Sequence, residues 1–438
     1  MRSISALLAV FLWACPALPQ QSQPPMTAFD RERALQILKI VGDDVAKHYY
    51  DPKFHGIDWN AQVAEAQAKI AKETSFNMAM SHIAAALFAL HDSHTFLIPP
   101  EHAYVHDYQF RYQMVGDRCF VTEVRPKSDA EAKGVKPGDE ILTINGFPLD
   151  RSDFWKVQYV FDILRPHLEL RLGLRDPAGS ARQVDVNALM REKERVIGLA
   201  HGSVDAFDLP LEDENQMHLM RPRYFEPSGD LLVLKVPEFI FSVDTAYEMI
   251  GKARRHKALI LDLRGNPGGT AESLKHLIGG VFDKEVKIAD RIGRKEAKPD
   301  VAKPSRGAFT GKLVVLVDSG SASAAELFAR VVQLEKRGMV MGDQSSGSVM
   351  EAQQFYQDVG AGTAISFGTS ITEWDLIMAD GKSLEHVGVT PDEIILPTAQ
   401  DIASGRDPVL ARAAESLGVK VSAADAGKAF PFEWPVQW

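Results

Sequence analysis

Apolar residues recur at helical spacing in the first quarter of this chain. Leu35, Leu38, Val41, Val45 and Tyr49 follow one another at three or four residues, the stripe of an amphipathic helix. Val63, Ala66 and Ile70 repeat the pattern over a shorter span. Ile83, Leu87 and Leu90 mark a third helix, capped by Ser75 or Asn77. Asp51-Pro52 and Gly56-Ile57-Asp58 read as loops between them. Residues 30–90 are thus expected to form a small helical subdomain, ending in the loop His91-Asp92-Ser93-His94-Thr95.

The period changes after residue 108. Residues 119–124 favour a strand, 128–135 a short helix ending at Gly134, and Lys136-Pro137-Gly138-Asp139 a turn. A strand over 140–144 closes on the tight turn Asn145-Gly146. A helix over 152–164 follows, then a strand in which Leu168, Leu170, Leu172 and Leu174 alternate with other residues. Short strands with one or two helices imply a compact β-rich module. This segment resembles a PDZ domain, on Ala130, Gly134, Val135, Pro137, Gly138, Asp139, Ile141, Leu142, Ile144, Asn145 and Gly146 in that order. The resemblance implies pairing of an extended peptide, often a C-terminus, with a sheet edge. Residues 111–116 stand by position where the peptide-binding loop is expected, without the usual Gly-Leu-Gly-Phe-like sequence.

From 229 to 400, strand and helix alternate. Strands are expected at 231–236, 258–263, 313–317, 339–341 and 363–366, with helices at 242–255, 270–282 and 322–334. This rhythm predicts an α/β layer with partly parallel pairing. The expected fold class is therefore mixed α/β (α+β): an N-terminal helical subdomain, a PDZ-like β-rich domain and an α/β core.

Composition narrows the function. The net charge is −10 with no basic block, which argues against nucleic acid as a partner. Two cysteines, Cys15 and Cys119, build neither a disulfide framework nor a zinc finger. Met1-Arg2, an apolar run over 4–13 and a Pro/Gln-rich stretch to Pro25 read as an export signal, too short to span a bilayer. Leu12-Trp13-Ala14-Cys15 also resembles a lipoprotein box, so a lipid anchor at Cys15 is a second expectation. The domain boundaries expected are 1–25 for the leader, 26–105, 106–195, 196–405 and a C-terminal extension at 406–438.

Three loops carry chemistry. Asp262-Leu263-Arg264-Gly265-Asn266-Pro267-Gly268-Gly269-Thr270 places a Gly pair between a strand and a helix, where backbone N–H groups can face a phosphate or an oxyanion. It lacks the ending of a P-loop, and a structural turn accounts for the pattern equally well. Asp318-Ser319-Gly320-Ser321-Ala322-Ser323-Ala324-Ala325-Glu326 crowds small residues at a helix start, which suits a nucleophile or ordinary capping. Three serines compete there, and spacing alone selects none. Asp92-Ser93-His94 sets a His beside a hydroxyl, a general base if the fold brings it to a nucleophile.

Together these motifs resemble the tail-specific, or C-terminal processing, serine peptidases, closest to the branch with the tricorn core. The resemblance covers about residues 30–400 and implies a ClpP/crotonase-like core. It selects Ser323, three residues before Glu326, as nucleophile. Ser348 stands where the Ser/Lys branch carries its Lys; Ser93-His94 and Glu385, in Leu384-Glu385-His386-Val387-Gly388-Val389, fit the tricorn-like branch. The implied roles are His94 as base, Glu385 and Ser93 as its orienting groups, and backbone N–H groups of Gly268 and Ala324 as the oxyanion hole. No cofactor or metal is implied. Partners would be protein or peptide substrates, and the location exported, periplasmic or extracellular. The alternative is a non-catalytic ligand- or peptide-binding member of the same superfamily.

Overall fold

The structure, a computed structural model, describes residues 25–102, 104–192, 219–360 and 364–434. The expected export signal, with Cys15, lies outside the described residues.

Three helices open the fold. Helix α1 (Ala28–His48) starts at Thr27, whose hydroxyl accepts from Asp30 N–H; α2 (Trp59–Ile70) starts at Asp58; and α3 (Phe76–Phe88) follows Ser75. The buried stripe of α1 is Ala34, Ile37, Leu38, Val41 and Val45. Leu35, expected on that stripe, is only partly buried, because Ile37 falls closer to its centre. These helices share their core with Tyr159 and Leu164 of the next module and with Val359, Phe367 and Ile371 of a later hairpin. The loop after α3 is therefore pressed against distant parts of the chain.

Strands β1 (Phe96–Ile98) and β2 (Tyr104–Asp107) lead into the β-rich module. It comprises β3 (Phe110–Val115), β4 (Arg118–Val124), α4 (Asp129–Ala132), β5 (Glu140–Ile144), β6 (Phe147–Pro148), α5 (Phe154–Gln158), β7 (Glu169–Arg175) and β8 (Ala181–Asn187). Strand order is β3-β4-β5-β7-β8, with β6 on β5. The helix expected over 152–164 is α5 continued by a π-helical turn, Tyr159–Leu164. Residues 111–115 are not a loop as expected. They belong to β3, because Phe110 and Met114 alternate inward and fix them as an edge strand. Cys119 is buried and free.

Strand β9 (Leu189–Glu192) pairs with β2. The core follows: β10 (Arg223–Ser228), β11 (Leu231–Lys235), α6 (Val243–Ala253), β12 (Ala258–Asp262), α7 (Ala271–Val281), β13 (Val286–Gly293), β14 (Asp300–Ala302), β15 (Lys312–Val317), α8 (Ala324–Leu334), β16 (Met339–Gly342), β17 (Met350–Val359), β18 (Ile365–Met378) and β19 (Glu393–Ile394). One sheet runs β10-β11-β12-β15-β16-β19, parallel from β11 onward. Helices α6, α7 and α8 cover one face. On the other face lies α10 (Pro408–Ser416), which follows α9 (Ala399–Ala403) and precedes α11 (Ala423–Ala426); it buries Val409, Leu410, Ala413 and Ala414. The second sheet, β1-β18-β13-β14 with β17 on β18, includes a long hairpin that the sequence reading foresaw only at 363–366.

The β-rich module docks on the core beside β15. Gln113 Nε2 donates to Asp318 Oδ2 (2.6 Å) and Ser319 Oγ (3.2 Å), and Ser319 Oγ donates to Met114 O (2.5 Å). Asp343 Oδ2 accepts from Gly116 N–H (2.8 Å) and Arg151 Nη1 (3.0 Å).

Candidate active site

The loops after β11, β12, β15 and β16 gather at the carboxyl ends of parallel strands, the edge at which open α/β sheets carry their sites. After β15, Asp318 organises the turn: its Oδ1 accepts from Gly265 N–H (2.8 Å) and Gly320 N–H (3.0 Å). Ser321 is buried; its Oγ donates to Leu263 O (2.8 Å) and accepts from Asp318 N–H (2.9 Å). Ser319 is spent on Met114 O. Of the three competing serines, Ser323 stands apart at the helix start. It precedes α8 with φ +52° and ψ −116°, a backbone state a side-chain-bearing residue keeps only when its surroundings hold it there.

Ser93, His94 and Glu385 form one hydrogen-bonded line. Ser93 Oγ lies 2.8 Å from His94 Nδ1 and donates to Glu385 Oε2 at 2.9 Å; Ser93 N–H donates to Glu385 Oε1 at 2.8 Å. A third donor, Val349 N–H, reaches Glu385 Oε2 at 2.8 Å. Three converging donors fit an ionised carboxylate. Ser93 has one proton, and giving it to Glu385 leaves Oγ as acceptor for His94 Nδ1–H. His94 Nε2 is then the unprotonated, basic nitrogen. Burial pushes the His94 pKa down, opposed by the charge of Asp92. Burial pushes Glu385 up, opposed first by His386, whose Nε2 lies 3.5 Å from Oε1.

Asp92 sets this loop. It is buried, and its Oδ1 accepts from His94 N–H (2.8 Å), Thr95 N–H (3.0 Å) and Thr372 Oγ1 (2.8 Å). The α3–β1 loop is thereby fastened to β18. Ser323 belongs to the same network through its backbone: Ser323 N–H donates to Ser348 O (2.8 Å), one peptide unit from the Val349 N–H that holds Glu385. Among the described residues no hydrogen bond joins Ser323 Oγ to His94; such contacts commonly tighten only with substrate in place.

Gly268 adjoins Ser323 so closely that a Cβ there would stand 2.7 Å from Ser323 Cβ and 3.1 Å from Ala324 N. Its φ of +101° independently demands glycine. Its N–H donates to Asn266 Oδ1 at 2.8 Å, while Asn266 Nδ2 donates to Val236 O at 2.8 Å. Ala324 N–H, in the first turn of α8, has no helical acceptor. Arg264, in the same loop, serves architecture instead. It forms ion pairs with Asp262 (2.8 Å) and Asp407 (2.7 Å), tying the loop to α10.

Sequence reasoning had Asp92 and Asn266 within its candidate loops and Ser348 at the Lys position but gave none of them a role, and it used Glu326 only as a ruler. The Asp-x-His-Thr spacing of an Asx turn was the one signal available for Asp92. Among the described residues no cluster of three His, Cys, Asp or Glu is placed to hold a metal ion, and no helix is long and apolar enough to cross a membrane.

Comparison with known proteins fits this geometry. Residues 230–395 match peptidase family S41, and residues 108–154 match the PDZ domain. The carboxyl-terminal-processing protease of Picosynechococcus sp. is 24% identical over 277 residues, covering 62% of this chain and 59% of that protein. The tail-specific protease of Haemophilus influenzae is 25% identical over 245 residues, 54% of this chain and 32% of that one. The carboxy-terminal processing protease CtpB of Bacillus subtilis is 25% identical over 276 residues, 60% and 50% of the two chains. The chain thus spans less than two thirds of the length of these curated relatives. Among solved structures, mature CPAF shares the fold with a TM-score of 0.63 at 16% identity, over 86% of this chain and 95% of that one. The photosystem II D1 C-terminal processing protease gives 0.50 at 16% identity, over 84% and 97%. The match to peptidase family S41 thus spans the parallel sheet and the loops after β11, β12, β15 and β16, and the match to the PDZ domain lies ahead of it.

Proposed function

We propose that the chain is a serine endopeptidase that cleaves peptide bonds through an acyl-enzyme on Ser323. The observation that carries the reading is the line Glu385–Ser93–His94, tied by one peptide unit to the backbone of Ser323. Nothing in the site favours the non-catalytic alternative.

In this mechanism His94 Nε2 takes the proton from Ser323 Oγ as Oγ attacks the substrate carbonyl. Glu385, ionised, keeps Ser93 Oγ as an acceptor and so keeps Nδ1 protonated. Protonating Glu385 would reverse the Ser93 hydroxyl, give Nδ1 the acceptor role and remove the base. The oxyanion is held by Ala324 N–H and by Gly268 N–H, which exchanges Asn266 Oδ1 for substrate. His94 then protonates the leaving amine, and water releases the acyl group. No cofactor enters. Ser348, at the place of the Lys of the dyad branch, is neutral and contributes its backbone instead.

The PDZ domain is proposed to select protein substrates by pairing an extended segment with the edge strand β3. The leader is proposed to export the chain to the periplasm or beyond, with cleavage near 17–20 or lipidation at Cys15; N-terminal sequencing of the product separates the two.

The test is labelling with a fluorophosphonate probe, followed by mass spectrometry. An adduct on Ser323, lost in Ser323→Ala, supports the reading. A folded protein that takes no label and cleaves no peptide refutes it.

A further inference from the structure

One buried carboxylate in the site has no part in the mechanism above. Glu326 is fully buried, in the first turn of α8. Four donors converge on it. Oε1 accepts from Ser345 Oγ (2.6 Å) and Gly347 N–H (2.8 Å); Oε2 accepts from Ser323 N–H (3.0 Å) and Ser348 N–H (3.0 Å). A carboxylate in a helix's first turn ordinarily serves its own N-cap at the surface. This one is buried: it serves its own N-cap, Ser323, and also reaches a separate loop.

We infer that Glu326 is a positioning residue: its carboxylate locks the Ser323 backbone to the 345–349 segment, and so sets the nucleophile in register with Glu385 and its His94 line. The inference rests on the peptidase reading.

The connectivity is continuous. Ser348 gives its N–H to Glu326 and its C=O to Ser323 N–H, and the next N–H, of Val349, goes to Glu385. Ser323 N–H is thus fixed by two acceptors, Ser348 O and Glu326 Oε2. That over-determination is what a side chain at φ +52° needs to stay in place. Ser345 adds a second tie: its Oγ accepts from Val389 N–H at 2.6 Å, beyond Glu385 on the late loop. A glutamine cannot reproduce this arrangement. Its NH2 would face two of the four donors, whichever way the amide is turned.

Every group bonded to Glu326 is a neutral donor. The titratable groups of the surrounding loops, Asp343, Glu385, His386 and His94, make their bonds elsewhere. Burial raises the Glu326 pKa to about 7, with the four donors pulling it down. The four-donor arrangement is that of the ionised form, so it is complete only above that range.

The experiment uses the full chain and follows fluorophosphonate labelling of Ser323 and hydrolysis of a short peptide from pH 5 to 9. Glu326→Gln should lower kcat and the labelling rate on the order of 100-fold, with KM within about threefold. Its remaining acid limb should lie below that of the wild type, with only His94 and Glu385 left to titrate. Ser345→Ala removes one donor from Oε1, so it should move the acid limb to higher pH. A Glu326→Gln variant that folds and keeps the wild-type rate and limb overturns the inference, as does a loss carried by KM. If Glu326→Gln does not fold, an unmoved limb in Ser345→Ala overturns it. A wild type that takes no label refutes the peptidase reading and this inference together. A labelled wild type with an equally labelled Glu326→Gln refutes this inference alone.

Discussion

Ser323 and Glu385 meet across a single peptide group: the carbonyl of Ser348 accepts from Ser323 N–H, and the adjoining N–H of Val349 donates to Glu385, each at 2.8 Å. The C=O and N–H of a trans peptide point in opposite directions, so the two residues are held on its opposite sides. A displacement of the 345–349 segment therefore moves both ends of the proposed catalytic line together.

Removing the middle of that line should cost turnover and spare binding. Ser93→Ala leaves His94 Nδ1 and Glu385 Oε2 without their shared partner. The expected loss in kcat is about 10- to 100-fold, with KM nearly unchanged, since the group orients the base and does not touch substrate. His94→Ala should lose more than Ser93→Ala or Glu385→Gln. Peptide hydrolysis by the three folded variants gives the order; near-normal turnover in His94→Ala rules out His94 as base.

The serines of the β15–α8 loop should separate by what fails. Ser321→Ala strips a buried partner from Leu263 O and Asp318 N–H, at about 1–3 kcal/mol. Its melting temperature should fall while the folded fraction still takes the probe. Ser323→Ala should keep the melting temperature, because the backbone bonds that hold φ +52° do not involve the hydroxyl, and take no probe. A label on Ser321 contradicts the assignment.

Gly268→Ala should inactivate by geometry. The added methyl meets Ser323 Cβ at 2.7 Å and the Ala322 carbonyl at 3.0 Å, at a φ that disfavours any side chain. Loss of one oxyanion donor alone costs about 100- to 1000-fold in kcat, and displacement of Ser323 adds to it. Full activity in folded Gly268→Ala would exclude its amide from the oxyanion hole.

Much of this was legible in the residues. Helical periodicity located α1 to α3, and buried apolar runs located β11, β12 and β15, because each element's burial is written in its own spacing. The long hairpin of β17 and β18 was nearly invisible: Gln353, Gln354, Gln357 and Asp358 interrupt the apolar alternation on both faces, and the segment is completed by packing against α1. The Gly pair and the crowded serines marked two loops, while resemblance, not spacing, chose among their residues. Asn266–Gly268 and the Ser323-x-x-Glu326 capping box are local, but the bonds of Asn266 to Val236, of Glu326 to 345–348 and of Ser348 to Ser323 join distant segments. No local pattern encodes such pairings.

The rate should rise with pH as the site loses protons. Burial lowers the His94 pKa, so His94 stays neutral to a pH below its ordinary 6.5. Glu385 and Glu326, both raised by burial, must also be ionised for the line and the strap to form. All three act in one direction, which predicts a broad acid limb ending near neutrality. A kcat/KM profile on a short peptide measures it; activity falling from pH 6 to 8 contradicts all three roles.

Arg264 should matter to stability more than to chemistry. Its guanidinium is mostly buried between Asp262 and Asp407, with bonds of 2.7–3.0 Å to both carboxylates. Asp407 also caps α10 through Leu410 N–H. Arg264→Met leaves the buried Asp262 with Lys235, 3.6 Å away, as its cation, and with the backbone N–H of residue 264. Breaking a buried pair from one side costs about 3–5 kcal/mol, because the remaining charge is stranded. Asp407→Asn keeps an oxygen for the helix cap and leaves Arg264 its Asp262, so it should cost less. The sign with pH follows from Asp262. The cations Arg264 and Lys235 hold its carboxyl well below the usual carboxylate range, outweighing burial. Its contribution is therefore present above the unfolded value near 4 and is lost as pH falls through the lower folded value. Thermal unfolding of wild type and Arg264→Met should differ most at neutral pH and converge in acid. A difference that stays constant down to pH 2 would place the stabilisation in packing and not in charge.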